Sequence, residues 1–140
     1  MKYSFFLITV SISCLVCLAG CSRRPSDPRA ALVGKYQLSW GSGSYCSERG
    51  VESSTLELRS DGTSEQGDRF KDGSLFVTAG RWQYVADDHV GLDNLRATNT
   101  LEIDKKASAT YASLIVQWSK LPNILLDPDD SCVFAKTPQY

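Results

Sequence analysis

The chain is poor in the residues that most catalytic and metal sites need. Its 140 residues include one histidine and five cysteines, and three of those cysteines, Cys14, Cys17 and Cys21, lie near the start. One histidine with the two remaining cysteines falls short of a zinc site, which takes about four ligands at recognisable spacing. The histidine, His89, adjoins Asp88, but no nucleophile elbow accompanies it. Gly41-Ser42-Gly43-Ser44 lacks the G-x-S-x-G spacing, so His89 reads as a turn residue rather than a general base. Neither charge is in surplus: 15 Lys and Arg stand against 16 Asp and Glu, for a net charge of -1. Without a basic excess there is no electrostatic footprint for nucleic acid. Asp127-Pro128-Asp129-Asp130 gathers three carboxylates but lacks the Gly and Glu that a calcium loop places at its sixth and twelfth positions, and reads as a solvated turn. The expectation is therefore no catalytic residue, no metal and no cofactor. Repeats and low-complexity blocks are also missing from residue 21 onward.

The N-terminus is more informative. Lys2 precedes an uncharged, mostly apolar run over residues 5–18, followed by the small residues Ala19 and Gly20. These are the three parts of a signal peptide. Leu18-Ala19-Gly20-Cys21 resembles a bacterial lipobox, which implies a diacylglycerol on the Cys21 thiol, cleavage just before it, and a further acyl chain on the new amino group. At about 0.8 kcal/mol per buried CH2, two or three acyl chains make anchoring effectively permanent. The competing reading is an uncleaved membrane span, since about eighteen uncharged residues is just long enough. In lipoproteins of Gram-negative bacteria, the lack of Asp after the lipidated Cys implies export to the outer membrane, and Ser22 occupies that position here. The expected organisation is a signal peptide over residues 1–20, a lipidated N-terminus and tether over 21–31, and a β-domain over 32–140. Pro25 and Pro28 extend the tether. Arg23, Arg24 and Arg29 either face anionic headgroups or are simply solvated.

Besides Cys21, the mature chain holds only Cys46 and Cys132. Export to an oxidising compartment makes their pairing the default, with two buried free thiols as the alternative. The bridge would close a loop of roughly 85 residues, a stabilisation of about 4 to 5 kcal/mol in the chain-entropy model.

About 120 residues after cleavage suffice for one core and are too few for two. Leu32, Tyr36, Leu38 and Trp40 share one parity, with Lys35, Gln37 and Ser39 on the other, the mark of a strand with one buried face. Leu56 and Leu58 repeat this pattern before the turn Ser60-Asp61-Gly62 and a more polar strand from Thr63. After Lys71-Asp72-Gly73, residues 75–78 and 81–85 read as strands on either side of Gly80, a place for a bulge or bend. Trp82 and Tyr84 share one face. Val90 with Leu92 and Leu101 with Ile103 suggest further short strands. Residues 107–118 fit either a helical face or a strand, and the β-branched Thr110, Ile115 and Val116 favour the strand. Residues 132–136 form the last one. The result is an all-β fold, a small antiparallel meander of about eight short strands closing into a barrel or sandwich.

Gly34-Lys35-Tyr36, Leu56-x-Leu58 before Asp61-Gly62-Thr63, and Gly80-x-Trp82 together resemble small bacterial lipocalin-like domains. Tyr36 stands where that pattern has Trp, and the chain is short for a full calyx. Trp40, Trp82, Trp118, Tyr36, Tyr84 and Phe76 read as core. Tyr45, among Gly and Ser beside Cys46, is a candidate binding anchor, with Arg49 on the same loop. The functional expectation is a non-catalytic outer-membrane lipoprotein, held to the membrane through Cys21. Its periplasmic β-domain would bind an envelope or periplasmic protein partner or a small apolar ligand. The alternative is an inhibitor or immunity protein against a periplasmic hydrolase such as a lysozyme, with residues 41–50 as the inserting loop.

Overall fold

Burial alternates along residues 34–39 and 63–70, and the sheet these segments help to build closes on itself. A computed structural model describes residues 24–39, 51–96, 110–127 and 132–138. Among these, eight strands follow one another: β1 (Gly34–Ser39), β2 (Val51–Leu58), β3 (Thr63–Phe70), β4 (Leu75–Val85), β5 (His89–Leu95), β6 (Thr110–Gln117), β7 (Asn123–Asp127) and β8 (Cys132–Lys136). Each pairs antiparallel with the next, and β8 returns to pair with β1, so that the sheet is a closed barrel. The register at the seam sets Tyr36 opposite Lys136 and Leu38 opposite Phe134.

The interior is filled rather than hollow over much of its length. Tyr36, Leu56, Leu58, Trp82, Val90, Leu92, Leu114, Val116, Ile124 and Phe134 point inward and are buried. At about 1.5–3 kcal/mol for each large apolar side chain, this layer is the main drive for closure.

One barrel end carries the turns β2–β3, β4–β5 and β6–β7, and it is sealed by a short helix that the sequence reading did not expect. Pro25 and Pro28 predict an extended tether over residues 21–31, and the parity of Leu32 predicts that it belongs to the first strand. Instead α1 (Pro28–Leu32) forms there, with the Asp27 side chain accepting from the Ala30 N–H at 2.9 Å and Pro28 in the first turn. Proline costs nothing at that position because its missing N–H would have had no partner, and the aspartate cap contributes about 1 kcal/mol. Leu32 is fully buried as the plug. Tyr36 donates its hydroxyl to the Leu32 carbonyl at 2.5 Å, and Lys136 Nζ donates to the Ala31 carbonyl at 2.6 Å. Burial pushes the Tyr36 phenol up and the Lys136 ammonium down from their ordinary pKa values. Trp82 Nε1 donates to the Arg59 carbonyl at 2.8 Å, and the Arg29 guanidinium lies 5.9 Å from the centre of the Trp82 ring.

Two further strand expectations meet the structure. Residues 107–118 do contain a strand, β6. Gly80 does not divide two strands: β4 runs through it with unbroken register to β3. Glycine is required there because a Cβ would overlap the Asp93 carbonyl of β5. The irregularity lies instead in β5, between Leu92 and Leu95, where Asn94 has φ of 56°. β7 was not anticipated. The expected strand at Leu101 and Ile103 falls outside the described residues.

Candidate functional site

The end opposite α1 receives the connections 40–50, 71–74, 97–109 and 128–131, and just inside it the lumen changes character. On β2, β3 and β4 the inward rows are Ser54, Asp68 and Phe76, then Leu56, Gln66 and Thr78. Ser54, Gln66 and Asp68 are all buried, as is Arg96, which follows β5. A buried carboxylate is tolerable only when it is paired and hydrogen-bonded. Here Ser54 Oγ donates to Asp68 Oδ1 at 2.5 Å, Gln66 Nε2 donates to the same oxygen at 3.1 Å, and Arg96 Nη1 lies 3.9 Å from Asp68 Oδ2. Gln66 completes the network by accepting the Arg96 backbone N–H at 2.9 Å. Burial pushes the Asp68 carboxyl above its ordinary pKa, and the Ser54 hydroxyl, Arg96 and Gln66 pull the other way.

The Arg96 guanidinium also lies 4.9 Å from the Phe76 ring centre and 5.6 Å from that of Phe70, and the two rings meet edge to face at 5.6 Å. Thr78 Oγ1 is buried and makes no hydrogen bond among the described residues. The chemistry on offer is thus a neutralised ion pair, a free hydroxyl and two aromatic faces. All but Phe76 and Thr78 of these side chains are buried, so the cluster forms a polar layer of the barrel interior beside two aromatic rings.

None of these four polar residues was singled out from the sequence. For three of them a signal exists. Phe70 must face inward, and stepping back by twos puts Asp68 and Gln66 on the same face, while Ser54 lies two residues before the inward Leu56 on β2. Arg96 carries no such signal, because the bulge in β5 breaks the parity before it.

Cys21, Tyr45, Cys46 and Arg49 lie outside the described residues, as does the stretch 128–130. Cys132 is fully buried at the start of β8, at the same barrel end where residues 40–50 join β1 to β2. Asp88 and His89 do not form an acid–base pair. His89 Nδ1 is 2.7 Å from the Asp87 carbonyl, while Asp88 Oδ1 accepts from Trp118 Nε1 at 2.7 Å and from the Tyr84 hydroxyl at 3.3 Å.

Asp88 also holds the N-terminal segment. Arg24 pairs with its carboxylate at 2.7 Å, hydrogen-bonds the Tyr84 hydroxyl, and sits 5.4 Å from the centre of that ring. Asp87 and Asp88 both have φ of 61°. The left-handed conformation costs about 1–2 kcal/mol for each residue with a Cβ, and the Asp88 carboxylate meets three partners, Arg24 before α1, Tyr84 on β4 and Trp118 just beyond β6. On the outer wall, a groove of about 390 Å³ runs past Arg29, Asp61, Arg81, Asp93 and Tyr111. Gly91 makes room for the Tyr111 ring there, since any Cβ would collide with the phenol.

No protein-family model matches the chain, and no curated protein does either. Among solved structures it is similar to a lipocalin-like protein from Bacteroides uniformis ATCC 8492, known from a crystal structure at 1.79 Å. The TM-score is 0.47 at 14% sequence identity, over 76% of this chain and 97% of that one.

Proposed function

We propose that the chain is an outer-membrane lipoprotein, acylated on Cys21 and facing the periplasm, whose barrel binds a small apolar ligand or a protein partner without turning it over. The observation that carries the binding reading is the asymmetry of the barrel. One end is plugged by Leu32 and the capped helix, while towards the other the inward face presents Phe70, Phe76, Thr78 and the Asp68–Arg96 pair. Ligand pockets combine mostly apolar and aromatic walls with a few placed polar groups, and this lumen has that composition. The lipobox supports the anchor and Ser22 the outer-membrane address. A bridge between Cys46 and Cys132 would staple the connection 40–50 to the first residue of β8.

The test is native mass spectrometry of the domain expressed in the periplasm without Cys21, before and after organic extraction. A co-purifying apolar molecule, lost in Phe76→Ala and Thr78→Val, is the expected result. Hydrolytic activity that vanished in His89→Ala would overturn the non-catalytic reading. The second reading, an inhibitor of a periplasmic hydrolase, draws on the composition of residues 41–50, where Tyr45 and Arg49 stand among Gly and Ser. It predicts capture of a soluble hydrolase that is lost when Tyr45 and Arg49 are replaced by Ala.

A further inference from the structure

We infer that the barrel stands on the membrane by its plugged end, with the turn between β6 and β7 touching the lipid surface and the opposite end held away from it. The inference rests on the reading of Cys21 as the acylated residue. Only Ser22 and Arg23 separate Cys21 from Arg24. Three residue steps span at most about 11 Å fully extended, so the acyl chains cannot lie far from the Arg24 site. Arg24 is fixed against Asp88, beside Tyr84 and Trp118. As an exposed ion pair it contributes less than about 1 kcal/mol. The following residues hold the segment more firmly, because α1 is capped by Asp27 and anchored by the buried Leu32.

The same Asp88 oxygen binds Trp118, the first residue beyond β6, so the turn 118–122 lies alongside the tether. In that turn Leu121 is 38% exposed and Lys120 is exposed. A leucine beside a lysine fits a headgroup boundary, with the apolar side chain dipping and the ammonium at the phosphate level. Charge alone does not set the orientation, since Asp27, Asp61 and Asp87 lie at this end too. The short tether does. Along β3, with its rise of about 3.3 Å per residue and a tilt of 35–45°, the turn 71–74 stands roughly 20 Å farther from the bilayer. A ligand or partner would then reach the lumen from the periplasm and not from the lipid beneath.

The experiment uses the full acylated chain in vesicles of phosphatidylethanolamine and phosphatidylglycerol with brominated acyl chains, which quench tryptophan only at short range. Leu121→Trp and Lys120→Trp report on the plugged end and Lys71→Trp on the other, each corrected for the emission of the unmodified chain. Quenching of the added tryptophan at position 121 or 120, with none at 71, is the expected result. Equal quenching at both ends, or quenching only at 71, overturns the orientation. The mass of the mature chain separates the premise from the inference. A chain without acyl groups on Cys21 removes the anchor and the orientation together, whereas an acylated chain with unquenched tryptophan at 120 and 121 removes the orientation alone.

Discussion

Removing one charge of the pair inside the barrel should cost far more than removing both. Asp68 and Arg96 are both buried, and their closest charged atoms are 3.9 Å apart. At that distance and an effective dielectric constant of about 20, their attraction is about 4 kcal/mol, set against the cost of taking two ions out of water. Arg96→Met leaves the carboxylate with only Ser54 and Gln66, and a loss of about 3–5 kcal/mol is expected. Asp68→Asn keeps the shape and an acceptor for Ser54, and Arg96 keeps its two aromatic faces, so the loss is about 1–3 kcal/mol. The double variant buries no charge and should fall within about 1–2 kcal/mol of the parent. The coupling energy is then about 2 kcal/mol or more, readable from urea midpoints at constant m. Losses that added to within about 0.5 kcal/mol would refute the pairing. A pH series supplies a second check. Because burial raises the Asp68 pKa above 3.8, there is a pH window in which the folded chain keeps a proton that the unfolded chain has lost. Stability therefore falls with rising pH across that window. The parent should gain on Asp68→Asn as pH drops through it, and a shift in the opposite direction would contradict burial as the dominant cause.

Gly80→Ala should destabilise the chain by about 1–3 kcal/mol, because the obstacle is the Asp93 backbone and not a side chain that can move; thermal unfolding checks this. Trp82→Phe removes the hydrogen bond to the Arg59 carbonyl and should cost about 1–2 kcal/mol, measured by urea titration. If Cys46 and Cys132 are joined, Cys46→Ser should lower stability by about 4 kcal/mol, and the mass of the alkylated, unreduced parent should show no added label at either position.

The barrel was legible where side chains sort cleanly by hydropathy. Tyr36 and Leu38 against Lys35 and Gln37 marked β1, Leu56 and Leu58 the end of β2, and Val133 with Phe134 the last strand. Elsewhere the physics that fixed the structure is not written in hydropathy. In β3 the inward face carries Ser64, Gln66 and Asp68, so its parity is visible only from Phe70. Residues 22–31 read as a tether because two prolines suggested extension, although Asp27-Pro28 is also a cap followed by a first helical residue. Gly80 looked like a break, but the contact that demands glycine comes from β5, across the sheet. β7 is short and follows Pro122, so its pairing with β6 and β8 was needed to define it. The polar cluster depends on Arg96 meeting Asp68 from beyond an irregular stretch of β5, a coincidence in space that no local pattern announces.

The seam between β1 and β8 has a kinetic consequence. The hairpins from β2 to β5 join near neighbours in sequence, whereas the seam joins the two extremes of the domain, and contacts between distant residues form late. Until β8 arrives, Lys136 cannot reach the Ala31 carbonyl and the helix has no completed socket for Leu32. If the seam closes last, the N-terminal segment would be captured only at that step. On the proposed reading of Cys21 as the acylated residue, that order would leave its thiol accessible to the modifying enzymes before the barrel draws the neighbouring residues in.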